Sequence, residues 1–551
     1  MKYTNLIGSN MSKKINILLI LLVSTAAIFF GACSKTDSSS KNTVTYNLVI
    51  GPKTIDPQLS TSISATKIDT QCMEGLIILG QKSGEVLPGA AEKWDVSKDG
   101  LTWTFHLRQN AKWSNGDPIT ANDFNFGLKR ALKPNSAAQN AYILYDIKNA
   151  KAYNQGKIKD YSKVGIKVVD KDTIQIVLAH PVTYFAQLIS STIAFPLNEK
   201  FYNQVKDQYT LSADKMLYNG PYVLKNYIPN GKYEFEKNPN YWNADNIKID
   251  KLSFLIVGNY NTAADMFKDK GLDITSITGN QIPQFKNTKA FKTVQTGGLD
   301  YLEFNVKNKF FSNVNIRKAV GMAIDRRIFC KDILKDGSSP AYGFVPPGIS
   351  GGKIDGKLIT YRKRFGYNLF SYNIPEAKRL YAKGLEELNY KGKVSVKLLC
   401  GNTSGSLRNT QFLQEQLYKN LGMSVELEPN TFQSQLSKMS QENFDFVYTE
   451  WLPDYDDPDT YLNIWVKGGG NNYTQWSNKQ FDAYIKTAAE SPDDNIRMNA
   501  MYKAEELLMK EMPVTPIIYR VEPMLVQPKL KGVVLVGLGT TLSFDWAYVE
   551  K

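Results

Sequence analysis

Short apolar–polar alternations and longer amphipathic stretches succeed one another along the chain, which predicts a mixed α and β protein. Thr102-Trp103-Thr104-Phe105-His106-Leu107 alternates with period two and reads as a half-buried strand. Residues 166–169 and 173–178 flank a polar Asp-Lys-Asp turn, the pattern of a hairpin. Phe444-Asp445-Phe446-Val447-Tyr448 reads as a buried strand. Thr120 with Asp123 three residues on resembles a capping box and predicts a helix start. Asn373-Ile374-Pro375 does the same before an amphipathic stretch through Leu388. Residues 478–489 and 499–512 are predicted amphipathic helices, and Pro346-Pro347-Gly348 and Gly351-Gly352 read as linkers. No fixed-period repeat is present, so the mix fits several packed lobes better than one barrel.

The N-terminus breaks this pattern. Lys13 and Lys14 precede an uncharged, mostly apolar run over residues 15–30, then Gly31-Ala32-Cys33. A basic stretch, an apolar stretch and small residues before a cut form a secretory signal peptide. The apolar run is shorter than the roughly 20 residues that span a bilayer. Its end is similar to a lipobox, with Phe30 where Leu is usual, which implies acylation of Cys33 and a polar tether over 34–40. A plain signal peptide with an incidental cysteine, or an uncleaved anchor, remains open, and Met11 offers a second start.

Charge changes the picture less than it first promises. The chain has 551 residues and a formal charge of +14. With 42% hydrophobic residues it is poorly matched to collagen, disorder or a multi-span membrane protein. The excess of base suggests an anionic partner. Removal of the signal segment takes Lys2, Lys13 and Lys14 and leaves +11, scattered among acids with no basic run of five. That is unlike a nucleic-acid patch. Cys72, Cys330 and Cys400 are widely separated and read as core thiols, not a disulfide framework. His106 and His180 are the only histidines, and no H-E-x-x-H, G-x-S-x-G or Walker loop occurs. The expectation is a non-enzyme without metal or cofactor.

The richest segment runs from Ala90-Ala91-Glu92-Lys93-Trp94 through Asp99-Gly100-Leu101-Thr102-Trp103 to Trp113-Ser114-Asn115-Gly116-Asp117-Pro118 and Asp123-Phe124. Ile55-Asp56-Pro57, Asn219-Gly220-Pro221-Tyr222, Asn238-Pro239-Asn240-Tyr241-Trp242, Arg317 to Arg326 and Trp451-Leu452-Pro453-Asp454-Tyr455 follow the same family order. Together they resemble the peptide/nickel (family 5) class of extracytoplasmic solute-binding proteins, receptors of ABC importers.

The resemblance implies an α/β, periplasmic-binding-protein-like fold (type II, cluster C) with three lobes and a hinged ligand cleft. Residues 1–32 would be the signal peptide and 33–41 the lipidated cysteine and tether. Lobe I would comprise 42–74, 197–298 and 522–551, lobe II 75–196 and lobe III 299–521. A monomer would hold oligopeptides in extended form between lobes I and III. Its partners would be a permease, an ATPase and, through its lipid, the outer face of the cell membrane, with no nucleic acid involved.

A receptor for mixed sequences must read backbone amides and termini. An enclosed ammonium needs a carboxylate, because an unpaired buried charge is costly. The resemblance gives that role to Asp454, with Trp451, Leu452, Ser62 and Ile63 along the ligand backbone and Asn140 or Tyr142 reaching in from lobe II. Asp456, Asp457 and Asp459 read as turn and cap residues around Pro458. Some family members place a cysteine pair near Gly298 and Leu452; this chain has neither cysteine. A non-peptide cargo, a signalling peptide, or a surface lipoprotein without a transport role stays open at this stage.

Overall fold

The computed structural model describes residues 42–82, 84–536 and 541–550. The signal segment, Cys33 and the tether lie outside the described residues. Residues 44–551 belong to one unit.

The strands used below are β1 (Thr43–Asn47), β2 (Ala91–Val96), β3 (Thr102–Leu107), β4 (Ile166–Asp170), β5 (Thr173–Val177), β6 (Tyr222–Ile228), β7 (Lys232–Lys237), β8 (Lys251–Leu255), β9 (Ile274–Ser276), β10 (Phe291–Phe304), β11 (Ser395–Gly401), β12 (Ser424–Asn430), β13 (Phe446–Trp451) and β14 (Val514–Val526). The helices used below are α1 (Ile63–Cys72), α2 (Ala121–Leu132), α3 (Ile374–Glu387), α4 (Ser404–Leu421), α5 (Lys479–Glu490) and α6 (Asp494–Glu511).

The period-two stretch forms β3, inside an antiparallel sheet ordered β2-β3-β5-β4. Trp103, Phe105, Ile174 and Ile176 point inward while Thr102, Thr104 and Gln175 are part-exposed. One wet face and one dry face are what alternation encodes. At the start of α2, Asp123 accepts the Thr120 N–H at 2.8 Å and its hydroxyl at 2.9 Å.

The large sheet runs β12-β11-β13-β10-β14-β9-β1-β8-β7-β6. Strands β10 and β14 are its longest and are shared by both halves. On β10, Leu302 and Phe304 enter a core with α3 and α4, while Leu299 and Tyr301 enter a second core with α5 and α6. Covered on both faces from Gly297 to Phe304, this part of the strand has no alternation to betray it. A third core gathers β1, α1, the β2–β5 sheet and β6–β8.

Midway along β10 the ladder breaks. Gln295 pairs with Val521 and Leu299 with Tyr519, so Thr296-Gly297-Gly298 opposes Arg520 alone. Gly297 has φ +68°, a left-handed conformation that glycine adopts without strain. The freed backbone groups are rebonded: Thr296 Oγ1 donates to Arg520 O at 3.1 Å and accepts Gly298 N–H at 3.0 Å. Tyr461 OH donates to Gly297 O at 2.6 Å.

Two predicted elements shift. Strand β13 starts at Phe446 and continues to Trp451 because β10 pairs with it through Leu299↔Trp451. Helix α6 begins at Asp494, ahead of the expected Asn499, because Asp493 caps it, accepting from Asn495 N at 2.8 Å and Ile496 N at 2.9 Å. Its first turn is polar, so apolar spacing starts too late to mark it. Cys72, Cys330 and Cys400 are buried free thiols, as the spacing implied.

Candidate functional site

Strand β13 ends at Trp451; Leu452-Pro453 then turns the chain out, since proline cannot donate to the ladder. Asp454 follows, its N–H donating to Thr460 Oγ1 at 3.2 Å. Its carboxylate opens into a cavity of about 340 Å³. Tyr142, on the short 3-10 helix Gln139–Leu144, donates its hydroxyl to Asp454 Oδ1 at 3.1 Å. Surrounding protein raises the Asp454 carboxyl above its ordinary range, and the Tyr142 bond partly offsets that.

Ser62, Ile63, Asn140, Tyr142 and Asp454 all line this one cavity. Ser62 is the N-cap of α1, its hydroxyl accepting Ala65 N–H at 3.2 Å, so Ile63 stands exposed at the first turn. Asn140 Nδ2 donates to Ser60 O at 3.3 Å, joining the two segments that carry the site. Trp451 and Leu452 are not in the lining. Trp451 is half-buried against the α5–α6 core, and Leu452 is exposed, its position abutting Gly298.

The other acids of the loop have structural partners. Asp457 receives both guanidinium nitrogens of Arg497, at 2.7 and 2.6 Å, and accepts Asp459 N–H at 2.9 Å. Asp459 Oδ2 accepts from Tyr184 OH at 3.0 Å and Tyr455 OH at 2.8 Å. Those two rings stack at 4.4 Å. Asp456 Oδ1 accepts Ser350 N–H at 2.8 Å, while Gln187 bonds the Asp456 main chain in both directions, at 2.7 and 3.1 Å. The turn reading of these three acids therefore understates them: they clamp the Asp454 loop to segments between 40 and 275 residues away.

The same cavity is lined by two carboxyls that sequence reasoning missed, Glu74 and Asp545. Asn219 fixes the Glu74 main chain, accepting its N–H at 3.0 Å and donating to its C=O at 2.8 Å. Tyr241 OH and Trp242 Nε1 donate to the two Glu74 oxygens at 2.5 and 2.8 Å. Arg108 stacks 3.6 Å over the Trp242 ring. Burial pushes Glu74 up to about 8 against the pull of those bonds, and burial pushes Asp545 up to about 6. The family-like segments at 219–222 and 238–242 thus converge on Glu74. Their spacing gave no signal of it, because the partners are about 150 residues apart.

Elsewhere the motif arginines are structural. Asp56 takes a bidentate pair from Arg130 at 2.7 and 2.6 Å, and Arg326 donates to the carbonyls of Gly321, Ile324 and Pro516. His106 faces Asp95 at 2.9 Å and His180 faces Asp146 at 3.4 Å. Among the described residues no group of three or more His, Cys, Asp or Glu is placed to hold a metal ion.

The description "Bacterial extracellular solute-binding proteins, family 5 Middle" matches residues 85–473. The chain is 34% identical over 519 residues to the dipeptide-binding protein DppE of Bacillus subtilis, covering 94% of each. It is 32% identical to the oligopeptide-binding protein OppA of the same organism, covering 95% of this chain and 96% of that one. Among solved structures, Listeria monocytogenes OppA bound to peptide superposes with TM-score 0.73 at 31% identity, covering 93% of this chain and 100% of that one. The unliganded open form of the periplasmic murein tripeptide-binding protein MppA superposes with TM-score 0.79 at 26% identity, covering 93% and 98%. The chain belongs to the family 5 bacterial extracellular solute-binding proteins, a family of binding proteins and not of enzymes, and it has their mixed α/β fold.

Proposed function

We propose that this chain is the peptide-binding component of an ABC importer, held on the outer face of the membrane by an acylated Cys33. It captures oligopeptides in extended form and delivers them to a permease. The observation that carries this reading is Asp454, a carboxylate three residues past the end of β13, lining a cavity of about 340 Å³ with Ser62, Ile63, Asn140 and Tyr142. These residues come from the three segments that the family resemblance assigns to lobes I, II and III. The peptide α-ammonium docks on Asp454, and main-chain pairing beside Leu452 and Ile63 supplies affinity that is blind to side chains.

The lobes close about β10 and β14. In support, the three-against-one bulge at Thr296-Gly297-Gly298 falls where lobes I and III are expected to join. Further support comes from the relatives, which are named for dipeptides, oligopeptides and a murein tripeptide.

The test is mass spectrometry of small molecules released when protein purified from its own cells is denatured. A spread of short peptides is expected. A single non-peptide compound at stoichiometric level would overturn the reading, and one defined peptide would recast the protein as a signalling receptor.

A further inference from the structure

The cavity lined by Asp454 is also lined by residues at the C-terminal end of α1 and in the segment docked on it. Its charged lining residues, among the described residues, are Glu74, Asp454, Asp456 and Asp545, with no lysine, arginine or histidine. Asp454 is committed to the peptide ammonium on the reading above, and Asp456 is engaged by Ser350. At the C-terminal end of α1, Met73, Ile77 and Leu542 line the cavity together with Glu74 and Asp545.

That end is rigidly built. Leu542 O accepts Gln71 Nε2 at 2.7 Å, docking the 541–543 strand on α1. Asp545 N–H donates to Ser543 Oγ at 3.1 Å, which sets the turn that presents its carboxyl. Glu74 spends both oxygens on Tyr241 and Trp242 and has Arg108 nearby, so its electrostatic needs are largely met within the wall. Asp545 has a single side-chain bond, to Ser543, which offsets only part of the burial that raises its carboxyl. A cation delivered to this end favours the ionised Asp545 carboxylate against the cost of its burial. A neutral or anionic side chain does not.

We infer that this part of the cavity receives the basic side chain of the bound peptide, a lysine or arginine near its N-terminus. The aliphatic stem lies along Met73, Ile77 and Leu542, and the charged head meets the Asp545 carboxylate. Long basic side chains are suited to this, burying apolar stems while placing a charge at a distant acceptor. The inference rests on the peptide-receptor reading and sharpens it: the preferred cargo is cationic peptides.

The experiment is titration calorimetry with trialanine and with tripeptides carrying lysine, or its uncharged isostere norleucine, at the first, second or third position. Wild-type protein and Asp545→Asn are compared, with circular dichroism to check folding of the variant. The expected result is one position at which lysine binds about tenfold or more tighter than norleucine, the scale of one charge-assisted hydrogen bond. Asp545→Asn should collapse that ratio to about threefold or less. Wild-type binding of all peptides without a lysine advantage overturns this inference and leaves the receptor reading intact. An advantage undiminished in the variant overturns the assignment to Asp545. No binding of any peptide sinks the receptor reading, and this inference with it.

Discussion

Arg497 offers a sharp test of how Asp454 is held in place. Its guanidinium and Asp457 are almost wholly enclosed, with side-chain exposures of 3% and 7%. The pair is bidentate, and the same guanidinium lies 5.5 Å from the Tyr184 ring, so it braces the whole 454–460 loop. Replacing it with methionine keeps the apolar stem and strands Asp457 as an unpaired buried carboxylate. Breaking one side of such a pair costs about 3–5 kcal/mol. Each 1.4 kcal/mol is about a factor of ten, so the loop's opening equilibrium should rise roughly 100- to 3,000-fold.

Global unfolding is a poor readout for a chain with several cores. Native-state hydrogen exchange is a better one. The reporters are the Asp456 and Asp459 amides, which donate to Gln187 and Asp457. In Arg497→Met both should lose protection while β3 and β5 amides keep theirs. The double variant Arg497→Met/Asp457→Leu, with no charge left to bury, should recover most of the loss at the Asp456 amide, whose acceptor Gln187 is untouched; the Asp459 amide loses its Asp457 acceptor and is read only in the single variant. A change below about tenfold in the single variant would refute the claim that this ion pair positions the site.

Two further outcomes follow from the Glu74 wall. Burial raises the Glu74 carboxyl from 4.5 to about 8, so the fold prefers its protonated form. The stability this contributes is complete below about pH 4.5 and is lost as pH rises through about 8, a swing of order 5 kcal/mol. Thermal melts of wild type and Glu74→Gln should therefore diverge between pH 5 and 8.5, with the wild type losing more; parallel curves would contradict the assignment. Gly220 is packed against the chain leaving α1: a Cβ there would lie 2.6 Å from Met73 N and 2.7 Å from Cys72 C. Gly220→Ala should cost about 1–3 kcal/mol, read as a lowered melting temperature, because rigid backbone sits on the other side.

Half-buried elements were legible in the sequence. Strands β3 and β5 announce themselves by alternation, and the helices starting after Asn373 and Asn478 by cap residues, which accept Glu376 N at 3.1 Å and Gln480 N at 2.8 Å. Strands β10 and β14 were not legible. From Gly297 onward β10 is buried on both faces, as is most of β14, and Gly297-Gly298 looks like a breaker when it is a bulge within one strand. Helix α1 hid for the opposite reason, since Asp69 and Gln71 face the interior and blur its apolar stripe.

Asp454 was reached through family resemblance, because nothing in Pro453-Asp454-Tyr455 alone separates a ligand acid from a turn acid. The clamp of Tyr184, Gln187 and Arg497 on that loop, and the meeting of Glu74 with Asp545, depend on contacts between distant segments. Local pattern carries no trace of them.

The central claim is that Asp454 captures a peptide's free ammonium. Its most direct measurement is calorimetry of one tripeptide, free or N-acetylated, against wild type and Asp454→Ala. Loss of one partner of an enclosed pair is worth about 3–5 kcal/mol, so free-peptide affinity should fall roughly 100- to 3,000-fold. The acetylated peptide should bind both proteins weakly and about equally. Equal losses for the two ligands, or no loss for the free one, would contradict the account.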